Sequence, residues 1–107
     1  MINTDSNEEI YFVLTTEENK KNAYKIANAL LKDKLVACVT FKDIESFFWW
    51  EGKINKSKEV EIIMKCKREN IDEVCKKISI IHTYEVPEII YFPGSVNKIY
   101  YQWMRSV

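Results

Sequence analysis

Histidine and arginine are scarce in this chain, and neither sign of charge is in excess. The 107 residues include one histidine, His82, and two arginines, Arg68 and Arg105, while 16 basic residues balance 16 acidic ones. Proteins that bind nucleic acid usually present a basic surface on which arginine guanidinium groups grip phosphates and base edges. The sequence therefore predicts no binding of nucleic acid.

Cysteines are few and carry no metal-binding spacing. Cys38, Cys66 and Cys75 are odd in number and form no CxxC pair, which argues against both a disulfide framework and a zinc knuckle. The first nine residues lack the basic and apolar regions of a secretory signal, and no run approaches the ~18 apolar residues of a membrane span. We expect a cytoplasmic protein without membrane insertion, in which the thiols stay reduced.

The length suits one domain with a two-layer core. We predict a flexible N-terminus at residues 1–9 and a single domain at residues 10–107. The apolar run at 10–14 predicts a buried strand. Thr15 followed by Glu18 has the spacing of a capping box, which predicts that a helix begins there.

The rest of the chain alternates between helix and strand patterns. Apolar residues at 23, 26, 27, 30 and 31 lie on one face of a helix. Residues 35–50 are strand-like, and residues 59–67 alternate between apolar and polar. A second amphipathic helix is predicted at 71–78, a core strand at 86–92 ended by Pro93-Gly94, and a short C-terminal helix within 96–107. The order β-α-β-β-α-β predicts an α/β (α+β) ferredoxin-like sandwich, in which both helices cover one face of an antiparallel sheet.

The predicted hairpin is too long for the domain. Residues 35–50 would span roughly 50 Å at ~3.3 Å per residue, whereas a domain of this size is only about 35 Å across. Trp49 and Trp50 follow each other in a strand, so their side chains point to opposite faces. A protruding ribbon with aromatic residues on both faces is usually buried by a partner chain. We therefore predict an oligomer with Trp49 and Trp50 in its interface.

Three segments resemble the signature blocks of the CutA divalent-cation-tolerance family. They are LVACV at 35–39, SFFWWEGKI at 46–54 and HTYEVPEII at 82–90, and the likeness extends over residues 10–107. The resemblance implies a homotrimer similar to that of PII-type signalling proteins, with long hairpins paired across subunits. It also implies a non-enzymatic role in the tolerance of divalent cations, copper especially.

The resemblance also suggests which residues matter. Some members of the family carry a cysteine after the first strand and two adjacent histidines, proposed as copper ligands; the matching positions here are Thr16 and Ile81-His82. His82 is thus the candidate ligand for Cu(II) or another divalent cation, which Glu85 or Cys38 could join. A helix-end histidine that caps carbonyl groups is the competing interpretation. The family's inter-subunit cleft maps onto six residues of this chain: Cys38, Trp50, Lys65, Tyr84, Glu85 and Glu88.

These assignments leave two functions open. One is a metal-responsive trimer that binds copper or other divalent cations weakly. The other is a PII-like signalling or scaffold trimer whose cleft binds a small anion or an unknown protein partner. An enzyme built on Cys38 and His82 is a further formal possibility, but Cys38 lies within an apolar strand pattern where inert thiols are common. We therefore expect no catalytic activity.

Overall fold

The computed structural model describes residues 8–107. The elements follow in the order β1 (Glu9–Glu17), α1 (Lys20–Lys32), β2 (Cys38–Trp50), β3 (Lys53–Cys66), α2 (Ile71–Ile81), β4 (Ile90–Ser95) and α3 (Lys98–Arg105). Residues 1–7 of the predicted flexible N-terminus lie outside the described residues, and Glu9 is already part of β1.

The sheet has the strand order β2-β3-β1-β4, and every neighbouring pair is antiparallel. Helices α1 and α2 cover one face, as predicted. The core contains the alternating side chains of β3 and the inward faces of both helices, namely Val13, Ala23, Ile26, Leu30, Val36, Val60, Ile62, Met64, Cys66, Val74 and Ile78. This arrangement confirms the ferredoxin-like prediction. Among residues 8–107, no helix has both the length and the apolar character that crossing a membrane requires.

The predicted start of the first helix is wrong. Thr15 is buried within β1 and pairs with Ile62 of β3, so it does not cap a helix. The cap is Asn19, whose Oδ1 accepts a hydrogen bond from the backbone N–H of Asn22 at 2.9 Å. Pairing with β3 extends β1 to Glu17 because the ladder satisfies backbone groups that a capping box would satisfy only locally.

The predicted last core strand is also misplaced. Strand β4 begins at Ile90 rather than at Val86 and lies at the edge of the sheet, with Pro93 and Gly94 inside it. Proline lacks the N–H that a central strand must donate, so it is tolerated at a sheet edge. Pro87 also lacks a backbone N–H, so residue 87 cannot donate a hydrogen bond to a neighbouring strand.

The hairpin of β2 and β3 protrudes, as its length predicts. Its register runs from Cys38↔Lys65 to Trp50↔Lys53, but β1 accompanies β3 only as far as Val60. We call the seven rungs beyond that point, residues 44–59, the ribbon. The two-residue turn at its tip has positive φ at both Glu51 and Gly52, as a tight hairpin with the right twist requires.

The face of the sheet opposite α1 and α2 is called the open face. Helix α3 covers one end of it, where Met104 is fully buried and the Lys65 ammonium lies 5.5 Å from the centre of the Tyr100 ring. A salt bridge from Arg105 to Glu69 at 2.7 Å joins α3 to the segment before α2. Among residues 8–107, no helix covers the rest of the open face, so β2 residues such as Thr40 and Lys42 remain exposed in a single protomer.

Candidate functional site

A cavity of about 1010 Å³ lies between the ribbon and the segment that follows α2. We call it the acidic cleft, because five carboxylates line it: Glu18, Glu59, Glu61, Glu85 and Glu88. Five aromatic side chains also line it, namely Phe47, Phe48, Trp49, Trp50 and Tyr84. Within the part of the chain that the structure describes, no lysine, arginine or histidine side chain is among its lining residues.

The alternation of side chains along β3 determines where two of these carboxylates lie. Glu59 and Glu61 are two residues apart on β3 and therefore share one face of the sheet, while Val60 and Ile62 between and beside them enter the core. Tyr84 donates a hydrogen bond from Oη to Glu59 Oε2 at 2.5 Å, and Glu59 is only 9% exposed. A buried carboxylate needs such a partner, because an unpaired buried charge is costly.

Burial and neighbouring negative charges raise the pKa values of two groups in the cleft. The pKa of Glu88 is raised, first by burial and then by the negative charges of Glu59 and Glu61. The pKa of the Tyr84 hydroxyl is raised too, by burial and by its hydrogen bond to Glu59. The cleft thus holds an excess of negative charge that no cationic lining residue offsets.

His82 lies at the C-terminal end of α2, and its side chain is fully buried. Its backbone N–H donates to the carbonyl of Ile78, so it is the helix-end residue that one interpretation of the sequence expected. Its Nε2 lies 2.6 Å from the carbonyl oxygen of Thr16, and its Nδ1 lies 3.0 Å from the backbone nitrogen of Tyr84. Both ring nitrogens are therefore engaged.

Glu17 forms a second buried contact with the segment that follows α2. Its carboxylate accepts hydrogen bonds from the hydroxyl of Thr83 at 2.6 Å, from the N–H of Thr83 at 3.0 Å and from the N–H of Glu18 at 3.1 Å. Burial by itself raises the pKa of Glu17, but these hydrogen bonds outweigh it and hold the pKa below its ordinary value.

The structure divides the six predicted cleft residues between two places. Trp50, Tyr84, Glu85 and Glu88 line the acidic cleft. Cys38 and Lys65 pair across β2 and β3 near α3, six residues along β3 from Glu59. Six residues of strand correspond to about 20 Å. In a single protomer, Lys65 is therefore not among the residues that line the acidic cleft with Glu85 and Glu88.

Potential metal ligands are scattered in the part of the protomer that the structure describes. Among residues 8–107, no three histidine, cysteine, aspartate or glutamate side chains are close enough together to hold an ion. The two positions that the resemblance compares with copper ligands do meet, but through the hydrogen bond from His82 to the carbonyl of Thr16. The residues present therefore do not fit the copper site that the resemblance suggested.

The thiols offer no catalytic pair. Both nitrogens of His82 bind other groups, so neither activates Cys38. Burial raises the pKa of Cys66 to about 12 and also raises that of Cys75, which leaves little thiolate at neutral pH.

Reasoning from the sequence missed Glu17, Glu59, Glu61 and Thr83. The alternation of β3 did place Glu59 and Glu61 opposite the core, a pattern that usually indicates solvent. Glu17 and Thr83 are 66 residues apart, and no local pattern connects them.

Comparison with known proteins gives a consistent result. The family model described as CutA1 divalent ion tolerance protein matches residues 11–107. The divalent-cation tolerance protein CutA of Pyrococcus horikoshii is 38% identical over 93 residues, which cover 86% of this chain and 91% of the relative. That of Archaeoglobus fulgidus is 40% identical over 82 residues, 77% of this chain and 80% of the relative.

Solved structures agree with this result. The structure described as the periplasmic divalent cation tolerance protein CutA from Archaeoglobus fulgidus superposes with a TM-score of 0.88 at 36% identity, covering 91% of this chain and 96% of that one. CutA1 from Pyrococcus horikoshii gives a TM-score of 0.87 at 35% identity, with 90% and 95% coverage. The sequence match, the fold and the order of the three blocks together show that this chain belongs to the CutA1 divalent ion tolerance family.

Proposed function

We propose that this protein is a non-enzymatic homotrimer that supports tolerance of divalent cations by binding such ions weakly in the acidic cleft. The observation that carries the proposal is the lining of that cleft, which combines five carboxylates with no cationic side chain among the described residues. The names of the relatives, divalent-cation tolerance proteins, point to the same class of ligand.

The chemistry of the cleft favours hard ions. Carboxylate oxygens prefer Mg²⁺, Ca²⁺ and Mn²⁺, whereas copper prefers imidazole and thiolate groups. Because the carboxylates that the structure describes in one protomer form no chelating group of three, a bound ion would keep much of its water. We therefore expect dissociation constants on the order of 0.1–1 mM. Binding of Cu(II) at His82, which the resemblance suggested, would require one of the two hydrogen bonds of the ring to break.

The ribbon supports a trimer. Phe47 and Trp49 are 70% and 71% exposed on one face, while Phe48 and Trp50 lie on the other face at 41% each. A two-fold dimer brings one partner to a given patch through a self-complementary contact, whereas a closed ring brings two partners through different patches. A ribbon with aromatic side chains on both faces is better covered in a ring of three.

Light scattering and calorimetry test the proposal. Three copies of the 12.7 kDa chain would scatter as a particle of about 38 kDa. Titration with Mn²⁺ at pH 7.5 should show weak binding that Glu59→Gln reduces at least about fivefold, since Gln retains an acceptor for Tyr84 but no charge. The matched control is Glu73→Gln, at an exposed position on α2. Equal affinity in wild type and Glu59→Gln would remove the acidic cleft from the proposal.

One observation favours the PII-like alternative. Lys65 lies on the open face beside Cys38 and stacks over Tyr100, and within residues 8–107 its ammonium forms no ion pair within 4 Å. A small anion held between protomers would find a positive charge there. Titration with ATP and inorganic phosphate, with Lys65→Ala as the comparison, decides between the two: saturable anion binding lost in Lys65→Ala supports the alternative. The cytoplasmic location and an unknown protein partner remain predictions.

A further inference from the structure

We infer that His82 is a positioning residue for the wall of the acidic cleft and not a metal ligand. Its imidazole bridges the end of β1 to the segment after α2, and so fixes the backbone from which Tyr84 reaches Glu59. The inference goes beyond the proposed function and needs neither trimer formation nor cation binding.

The partners of the ring assign its tautomer. A carbonyl oxygen only accepts hydrogen bonds, so the nitrogen 2.6 Å from the Thr16 carbonyl, Nε2, must carry the proton. A backbone N–H only donates, so Nδ1, 3.0 Å from the nitrogen of Tyr84, must be the acceptor. In this tautomer the one in-plane lone pair, on Nδ1, already accepts from the Tyr84 N–H, so no lone pair of the ring is left for an ion.

In the contact with Tyr84, the His82 side chain accepts a hydrogen bond from the backbone N–H two residues ahead of it. Asparagine and aspartate form the same kind of turn with a side-chain oxygen. The Tyr84 ring then packs edge-on against the His82 ring, with centroids 4.8 Å apart. The bridge thus sets both the backbone and the ring of Tyr84.

The contact between Glu17 and Thr83 also fixes the segment after α2. Two hydrogen bonds from Thr83 to the buried Glu17 carboxylate fix the segment from the other side, and Glu17 Oε2 lies 3.4 Å from His82 Nδ1. Consecutive N–H groups of Thr83 and Tyr84 thus point into two adjacent acceptors, one from Glu17 and one from His82. The backbone that carries Tyr84 is therefore held by both Glu17 and His82, and from this fixed position the Tyr84 side chain donates to Glu59.

Nuclear magnetic resonance on the full chain tests this directly. The ring ¹⁵N shifts of His82 should show protonated Nε2 and unprotonated Nδ1 at pH 7.5, and they should not change when Zn²⁺ is added as a diamagnetic probe. Ring resonances that shift or broaden at substoichiometric Zn²⁺ would overturn the inference, whether or not the carboxylates bind cations.

Two substitutions at His82 separate positioning from ligation. In His82→Ala, amide exchange of Tyr84 should accelerate about tenfold, as expected for the loss of one hydrogen bond. In His82→Asn, the side-chain oxygen can accept from the Tyr84 N–H, so protection should return largely to the wild-type level. Unchanged Tyr84 exchange in His82→Ala would contradict the inference. If His82→Ala does not fold, Thr83→Val provides the second measurement, because it leaves the His82 ring intact and removes the hydroxyl bond to Glu17. Amide exchange of Tyr84 should still accelerate in this variant. Unchanged exchange would contradict the proposed tether.

Discussion

At the scale of single residues, the buried polar groups of this protein differ sharply in how well they are satisfied. Both carboxylate oxygens of Glu17 and both ring nitrogens of His82 have hydrogen-bond partners. Thr15, two residues before Glu17, is fully buried, and its hydroxyl has no hydrogen-bond partner among the described residues. The cost of burying a polar group depends on whether it is paired, so substitutions at these neighbouring positions should have opposite effects.

Thr15→Val should leave stability unchanged or raise it by up to about 1 kcal/mol, because valine has nearly the same shape and no unpaired hydroxyl. Chemical denaturation followed by circular dichroism measures the difference. Thr83→Val serves as the contrasting variant, since its hydroxyl donates to Glu17. A Thr15→Val protein that loses more than about 1 kcal/mol would show that its hydroxyl has a partner, such as bound water.

Glu17 should make folding sensitive to acid. Its pKa in the folded protein lies below the ordinary value of 4.5, so its stabilising effect is complete above about pH 4.5 and is lost as the pH falls through the folded pKa. Glu17→Gln should cost about 1–3 kcal/mol at pH 7 and should flatten the fall in unfolding free energy below pH 4.5. Denaturation curves between pH 3 and 7 measure both effects, with Glu73→Gln as the exposed control. An equally steep acid limb in Glu17→Gln would assign the sensitivity to other groups.

At the scale of elements, the regular patterns of the sequence predicted the parts that make their own core. The alternation in β3 and the stripe on α2 place Val60, Ile62, Met64, Val74 and Ile78 in the interior, as found. Elements whose bounds depend on a distant partner were predicted less well. β1 extends to Glu17 because β3 pairs with it, and β4 starts late because only residues from Ile90 onwards find a partner in β1.

The candidate site shows the same division. Tyr84, Glu85 and Glu88 were found through a signature block, whereas the tether beneath them joins positions far apart in sequence. The residues around Glu17 are typical of the end of a strand, and nothing in them indicates that the carboxylate is buried.

Gly94 illustrates how β4 fits its neighbour. A Cβ at this position would lie 2.3 Å from Cε2 of Phe12, whose ring stacks on Phe92 with centroids 5.4 Å apart. Gly94→Ala should therefore displace the Phe12 ring and destabilise the fold by about 1–3 kcal/mol. Gly52→Ala is the comparison: it meets no atom within 4 Å, but its φ of +75° disfavours alanine, so strain without a clash can be measured separately. Thermal unfolding of both variants checks the prediction, and an unperturbed Gly94→Ala would mean that Phe12 has room to move.

At the scale of the whole molecule, the ribbon is the feature that a single chain does not explain. The long dimension of the protomer is 47 Å against 28 and 21 Å for the other two, and the aromatic side chains of the ribbon have no core of their own. Sequence patterns describe which residues are apolar but not which chain covers them. The interface was therefore predicted from indirect signs: the mismatch between hairpin length and domain size, the tryptophans on both faces of the hairpin, and the family resemblance.

Trp49→Ala should weaken assembly while leaving the protomer fold intact, because the side chain is 71% exposed in the protomer. The expected result is a mass that falls from about 38 kDa towards 12.7 kDa on dilution at concentrations where wild type stays assembled. Ile80→Ala is the matched control, since Ile80 is an equally exposed apolar side chain on α2. Identical dilution behaviour of all three proteins would exclude Trp49 from the interface.

The seven ribbon rungs without a third strand have a consequence for the lifetime of a newly made chain. Until partners arrive, about 23 Å of two-stranded hairpin at ~3.3 Å per residue stands clear of β1, and an isolated hairpin of this kind is marginally stable in water. Proteases cut where backbone opens, and free strand edges recruit other chains. Survival of the chain would then rise with its own rate of synthesis, so that low expression gives disproportionately little protein.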